Sequence, residues 1–133
     1  MTQEDKELFK DVSSRLPYGV IVKTPYNVAT LIGIVSRKGY KKDEYYIDAI
    51  TDKQTYPIRY IQPYLRPMSS MTEEERKEYE LLANHCIVTS IGFIHLESAP
   101  LIDWLNSRHF DYRGLIERGF AIEVTEENNP YKD

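Results

Sequence analysis

The spacing of hydrophobic residues changes along the chain, and this change predicts where a helix gives way to strands. Leu8, Val12 and Leu16 recur at four-residue steps, which is the spacing of one helix face. Acidic residues precede them, where the helix dipole favours negative charge. The pattern predicts a helix over residues 3–16, and Pro17 ends it because a proline disfavours helical conformation in the residue before it.

Between Tyr18 and Ile61, short β-branched and aromatic runs alternate with turn residues at roughly ten-residue intervals. Pro57 indicates that the last run lies at an edge or a bulge. After it, residues 61–67 are expected to leave the sheet as an extended, proline-stiffened link. The pattern predicts four antiparallel strands joined by local turns, at residues 18–24, 28–36, 45–50 and 55–61.

Helix signals return in the second half of the chain. Thr72 and Glu75 have the spacing of a capping box, which predicts a helix that ends near Asn84. Ser98 opens a further helix that has Pro100 in its first turn. The β-branched segment from 86 to 96 is expected to be extended and to pack with or pair with the sheet, although helix and strand are hard to separate there.

The C-terminal region is predicted to contain one more helix and a final strand. Asp111 is expected to cap a short helix over residues 112–118. Gly119 can adopt the left-handed conformation that ends such a helix, with Phe120 folding back against Leu115. Residues 120–124 alternate as a short strand.

Together these elements predict a single domain with an α+β fold. A small antiparallel, SH3-like β-meander or barrel carries helices packed against it. The parts are an N-terminal helix at 1–16, the β-meander at 17–66, a helical and mixed half at 67–125 and a flexible tail at 126–133.

The two halves differ in charge and in aromatic content. Residues 1–66 contain 11 Lys/Arg and 8 Asp/Glu, a net charge of +3, whereas residues 67–133 contain 6 and 13, a net charge of −7. Eight of the 11 tyrosines lie between Tyr18 and Tyr64. A basic, tyrosine-rich front is therefore joined to an acidic back, and homo-oligomers formed through surfaces of opposite charge are one expectation.

The composition argues against several classes of protein. No apolar stretch approaches the roughly 18–20 residues that span a bilayer. The polar N-terminus lacks the apolar core of a signal peptide, so we expect a cytoplasmic protein. The single cysteine, Cys86, excludes an internal disulfide and a zinc site built on paired cysteines. A pI of about 5.4 argues against a dedicated nucleic-acid-binding protein.

The best candidate binding surface is a basic and aromatic loop. Basic side chains can contact phosphates while aromatic rings stack on bases, so the loop favours weak binding of nucleic acid as an alternative function. Asp43 and Glu44 dilute its charge, and a solvated hairpin tip is the simpler interpretation. The candidate residues are Arg37, Lys38, Tyr40, Lys41, Lys42 and Tyr45, with Tyr46 beside them.

Other reactive residue types lack the spacing of a site. Asp103, His109 and Asp111 could perform acid–base chemistry if a cleft brought them together. His95 and Glu97 match the start of a zinc-deaminase motif without its cysteines, and His85 next to Cys86 does not make a nucleophile pair. We therefore expect no metal and no cofactor, and we lean against an enzyme.

Two stretches carry a resemblance. Residues 63–75 read PYLRPMSSMTEEE, and residues 103–122 read DWLNSRHFDYRGLIERGFAI. Together they resemble a group of small proteins encoded by gut bacteria, often in prophages or other mobile elements. That group has no established activity, so the resemblance implies no functional residues. It favours an accessory protein that binds another macromolecule, and our first hypothesis is a non-catalytic protein-interaction or adaptor module.

Overall fold

The computed structural model describes residues 2–83, 87–89, 92–94 and 98–132. It has an α+β architecture that contains a six-stranded, mostly antiparallel sheet. The strands follow the order β4-β3-β2-β1-β5-β8, so the sheet is open and has β4 and β8 at its edges. Their bounds are β1 Ile21–Lys23, β2 Val28–Lys38, β3 Tyr45–Thr51, β4 Thr55–Pro57, β5 Gln62–Leu65 and β8 Ile122–Glu123.

Helix α1, Gln3–Arg15, confirms the N-terminal helix that the sequence predicts. Thr2 and Asp5 close a capping box at its start, since each side chain accepts a hydrogen bond from the backbone of the other. Leu8 and Val12 point into the core. Beyond the helix, a 3-10 turn and Gly19, whose φ is +68°, delay the first strand until Ile21.

The predicted meander is confirmed as the run β1–β4, in which each strand pairs antiparallel with the next. The prediction for residues 61–67 is wrong, because Gln62–Leu65 forms strand β5 within the sheet. It pairs antiparallel with β1 and parallel with β8. Pro63 is tolerated there opposite Val22 at a short pairing, and Leu65 contributes a fully buried side chain.

Helix α2, Glu73–Ala83, begins at the predicted capping box. Thr72 Oγ1 accepts from the Glu75 N–H at 3.1 Å, and the Glu75 carboxylate accepts from the Thr72 N–H at 3.0 Å. The segment from 86 to 96 includes strands β6 (Ile87–Thr89) and β7 (Gly92–Ile94), which pair with each other in a separate two-stranded sheet.

Helix α3, Ser98–Ser107, ends in a left-handed turn at His109, whose φ is +63°. The Phe110 N–H donates to the Leu105 carbonyl and the His109 N–H to that of Asn106, which is the hydrogen-bond pattern of a Schellman motif. Glycine usually occupies the left-handed position of this motif, and here a histidine does.

The predicted helix over residues 112–118 is wrong, because the structure has turns there. Gly114 has a φ of +73°, which a right-handed helix cannot contain. Asp111 nevertheless accepts from the Leu115 and Ile116 N–H groups. Gly119 ends the segment with a φ of +81°, and the Phe120 N–H donates to the Leu115 carbonyl, so the predicted stop is confirmed.

The core lies between α1 and the inner face of the sheet, and both halves of the chain contribute to it. Val22, Leu31 and Ala49 are fully or almost fully buried on the sheet. Leu115 and Ala121 join the same cluster from the C-terminal half. No helix in the described part of the chain has the length and apolar character needed to cross a membrane.

Candidate functional site

The most exposed functional candidate is a two-stranded extension of the sheet, residues 35–47, which we call the ribbon. The pairing of β2 with β3 continues to Lys38 opposite Tyr45, whereas β1 and β4 pair only with the other ends of these strands. The ribbon therefore extends beyond the rest of the sheet. All six predicted binding residues lie on it.

The loop at the tip of the ribbon is held by short-range hydrogen bonds. The Gly39 N–H donates to the Glu44 carbonyl at 2.8 Å, and the Glu44 carboxylate accepts from the Lys41 N–H at 3.1 Å. Gly39 is needed for space, because a Cβ added there would lie 2.7 Å from the Tyr46 ring. Asp43 adopts a left-handed conformation with a φ of +63°. The Glu44 carboxylate is thus engaged in the loop itself.

The predicted binding residues divide between two faces of the ribbon. Arg37 lies opposite Tyr46, and residues directly opposite in a sheet share a face. The Arg37 guanidinium stacks 4.8 Å from the centre of the Tyr46 ring and forms a 2.8 Å ion pair with Asp48. Lys38 and Tyr45 lie opposite each other on the other face. The structure therefore does not bring the six residues into one surface.

Exposed apolar side chains accompany the basic residues. Ile32 is 60% exposed, Val35 is 42% exposed, and Tyr40 stands fully in solvent at the tip. Within the described part of the chain, Lys38, Lys41 and Lys42 form no ion pair at 4.0 Å or less. The ribbon and the adjoining part of β2 thus carry exposed aliphatic, aromatic and cationic side chains, distributed over two faces and the tip.

The structure does not bring Asp103, His109 and Asp111 together into an acid–base site. Asp103 is exposed on α3, and Asp111 is buried and accepts from two backbone N–H groups. His109 stacks on the Tyr131 ring at 3.7 Å, nearly parallel to it. The structure records no hydrogen bond or ion pair among these three residues, all of which it describes. The arrangement gives them structural roles at a helix end and in a turn.

Burial explains the electrostatics of His109. Burial, aided by the positive charges of Arg15 and Arg66, lowers the pKa of His109 from 6.5 to about 4. The imidazole is therefore neutral near pH 7. The Tyr131 hydroxyl donates to the Tyr64 carbonyl at 2.7 Å and accepts from the Ile21 N–H at 3.0 Å. Burial raises the pKa of Tyr131 above its usual value. The sequence predicts a flexible tail over residues 126–133. The hydrogen bonds of Tyr131 nevertheless attach this segment to β1 and β5.

A buried ionic cluster, which the sequence reasoning missed, joins α1 to the C-terminal half. Asp11 accepts from Arg15 at 2.9 and 3.0 Å and from Arg113 at 3.1 Å, and the side chains of Asp11 and Arg15 are fully buried. Arg15 also donates to the Phe110 carbonyl at 2.7 Å. The sequence does contain an indication of this cluster, because Asp11 and Arg15 share one helix face with the core residues Leu8 and Val12.

A second ionic cluster links the residue after β5, helix α2 and the C-terminal end of α3. Arg66 makes a bidentate ion pair with Glu75 at 2.7 and 2.8 Å, and Arg108 lies 3.8 Å from the same carboxylate. The hydrogen bonds from Arg66 hold the pKa of Glu75 at about 2. Trp104 donates to Glu78 at 2.8 Å and stacks on Phe110 at 5.7 Å. Glu75 belongs to the acidic run at the start of α2, but its side chain is buried in this cluster.

The zinc-deaminase motif and the nucleophile pair both depend on residues that the structure does not describe. His85, Cys86, His95 and Glu97 lie outside the described residues. Within the residues that are described, no three His, Cys, Asp or Glu side chains are placed to hold a metal ion.

Comparison of the chain with protein-family models, curated proteins and solved structures finds no match. These comparisons therefore contribute nothing to the functional argument.

Proposed function

We propose that this protein is a non-catalytic interaction module that binds another protein through the ribbon. The observation that carries the proposal is a difference in ion pairing between arginines in the body of the protein and lysines on the ribbon. Arg15, Arg66 and Arg113 are bonded inside the molecule, whereas Lys38 and Lys41 on the ribbon lack a carboxylate partner in the described structure. Cations and apolar side chains left exposed on a protruding element are available to a partner.

The proposal includes a cellular setting. The β-meander would serve as an SH3-like adaptor in the cytoplasm of a bacterium that carries a prophage or another mobile element. The resemblance of residues 63–75 and 103–122 to mobile-element proteins supports this setting. The open sheet supports the adaptor role, because an open sheet leaves backbone edges that a closed barrel lacks.

Binding of nucleic acid is the second candidate. It is favoured by one observation, the position of Lys38 directly across from Tyr45 with the exposed Tyr40 beyond them. A cation beside a ring can contact a phosphate while the ring stacks on a base. The few lysines concerned would support only weak, salt-sensitive binding.

Affinity capture from a lysate of the native host, with and without nuclease, separates the two candidates. The informative variant is Lys38→Glu/Lys41→Glu/Lys42→Glu. Its matched control changes the same charge elsewhere, as Lys10→Glu/Lys77→Glu/Lys132→Glu, since these lysines are exposed on α1, α2 and the C-terminal segment. We expect a protein that is captured after nuclease treatment, lost with the ribbon variant and retained with the control. Capture that disappears with nuclease would favour nucleic acid, and equal capture by both variants would contradict the proposal.

A further inference from the structure

Helix α2 is joined to the rest of the protein through a buried carboxylate rather than through a buried apolar face. Glu75 is the only residue of this helix whose side chain is buried. Leu81 is 64% exposed, and the core cluster between α1 and the sheet contains no residue of α2. By contrast, α1 contributes Leu8 and Val12 to that core. Most helices in proteins depend on packing of an apolar face, and for α2 this contribution is small.

The packing of α2 is confined to one side of the molecule. Among the described elements, α3 makes the main contact with α2, and the strands of the six-stranded sheet make less. The Tyr79 ring lies 6.4 Å from the ring of Trp104 on α3, and the Trp104 N–H donates to Glu78. Trp104 stacks in turn on Phe110. These contacts place α2 over the indole of Trp104.

Glu75 links the start of α2 to the sheet. Its carboxylate forms the bidentate ion pair with Arg66, the residue that directly follows β5. It also lies 3.8 Å from Arg108 and accepts from the Thr72 N–H. The pKa of Glu75, at about 2, keeps this carboxylate ionised at neutral pH. A charged pair therefore provides the attachment to the sheet that an apolar face provides for α1.

Helix α2 is too short to persist without this attachment. It has 11 residues, and isolated helices shorter than about 12–15 residues are marginal in water. Elements with few buried apolar contacts can open locally while the rest of a protein stays folded. Opening of α2 would break the ion pairs of Glu75 with Arg66 and Arg108 and would uncover Trp104.

We propose that α2 opens as a unit while the six-stranded sheet stays folded, and that the Arg66–Glu75 ion pair controls how often it opens. The open state would present the indole of Trp104 beside two arginines that Glu75 no longer neutralises. This conformational device lies in a different part of the molecule from the ribbon, and it does not depend on the proposed function.

The test uses Glu75→Gln, which separates the ion pair from the helix cap. Glutamine can accept from the Thr72 N–H as glutamate does in a capping box, so the substitution removes the charge and keeps the cap. Glu74→Gln is the matched control. Glu74 is exposed in the same turn and forms no ion pair with a described residue. Amide hydrogen exchange of the three proteins is measured by NMR at increasing urea concentrations.

The wild-type protein tests whether α2 opens by itself. We expect its amides to exchange at least about a hundredfold faster than the slowest amides of β2 and β3, after correction for intrinsic rates. Their exchange should also depend less on urea, because opening α2 exposes less surface than unfolding the whole chain does. Equal protection and equal urea dependence in α2 and the sheet would overturn the inference, since the chain would then open only as a whole.

The variants test the role of the ion pair. Glu75→Gln should accelerate exchange in α2 about tenfold, because hydrogen bonds to charged groups are stronger than those between neutral groups. Glu74→Gln should accelerate it by at most about threefold, since it removes only an exposed charge near the helix N-terminus. Equal acceleration by the two variants would overturn the inference.

A second variant replaces Glu75→Gln should that protein fail to fold. Arg66→Lys keeps the positive charge, but lysine cannot form the bidentate pair that an arginine forms with a carboxylate. Exchange in α2 should again be faster than in the wild-type protein. Unchanged exchange in Arg66→Lys would overturn the role of the ion pair.

Discussion

The ribbon and the buried ionic cluster of Asp11, Arg15 and Arg113 contain the same residue types and use them in opposite ways. In the cluster, Asp11 and Arg15 are fully buried, and Asp11 also binds the partly exposed Arg113. On the ribbon, Arg37 pairs with Asp48 while its own side chain remains 55% exposed. The comparison teaches that the same kind of ion pair links elements of the fold where it is buried and leaves its arginine accessible to a partner where it is exposed.

The largest effect is expected from breaking the buried cluster. Asp11→Ala leaves Arg15 buried without its carboxylate and removes the link from α1 to Arg113. Loss of one partner from a buried ion pair costs about 3–5 kcal/mol. Urea-induced unfolding, followed by circular dichroism, should show a decrease of that size in the free energy of unfolding. A decrease below about 1 kcal/mol would mean that the cluster does not stabilise the fold.

The lowered pKa of His109 should make the stability of the protein depend on pH. The unfolded chain binds a proton at this histidine near pH 6.5, whereas the folded protein does so only near pH 4. The folded state therefore binds fewer protons between these values, and its stability falls as the pH drops. From pH 7 to pH 5 we expect a loss of at most about 2 kcal/mol, reduced by the partial exposure of the ring.

Between pH 7 and pH 5, the free energy of unfolding should respond to protonation of His109 and not of Glu75. The pKa of Glu75 is lowered from 4.5 to about 2, so its stabilising contribution is lost only as the pH falls through that lower range. The control variant is His109→Asn, because asparagine tolerates a left-handed conformation. Its free energy of unfolding should depend less on pH in this window. An equal slope in the variant and the wild-type protein would contradict the assignment.

The smallest effect is expected from the chemically identical change at Asp48, the ion-pair partner of Arg37 on the ribbon. Asp48→Ala removes the carboxylate partner of Arg37 but leaves that arginine in solvent and stacked on Tyr46. Exposed ion pairs contribute about 0–1 kcal/mol, so the free energy of unfolding should fall by less than 1 kcal/mol. If the free energy of unfolding fell as much as with Asp11→Ala, the exposed and buried ion pairs would contribute equally to stability, which would contradict the account.

Local signals predicted much of the fold. The capping box of Thr72 and Glu75 and the stop at Gly119 depend on residues a few positions apart, and both are confirmed. Strand β5 was missed because Pro63 argues for a link. Its place in the sheet depends instead on Val22, which lies far away in the sequence. The helix over 112–118 was mispredicted because the periodic pattern does not show that Gly114 adopts a positive φ.

The candidate site was only partly predictable for the same reason. The composition of the loop indicated the ribbon, since Lys38, Tyr40 and Lys41 are adjacent to a predicted turn. The extent of the ribbon depends on where β4 stops pairing with β3, and that end is determined by the turn at Pro57. The fastening of the tail by Tyr131 depends on contacts with Tyr64 and Ile21, which no local pattern contains.

The central claim is that the ribbon binds a partner and contributes little to the fold. It is tested most directly by measuring both properties in one variant, Lys38→Glu/Lys41→Glu/Lys42→Glu. The account predicts a free energy of unfolding within about 0.5 kcal/mol of the wild-type value, as expected for exposed positions, together with loss of the nuclease-resistant partner. Undiminished capture of that partner by a fully folded variant would contradict the account.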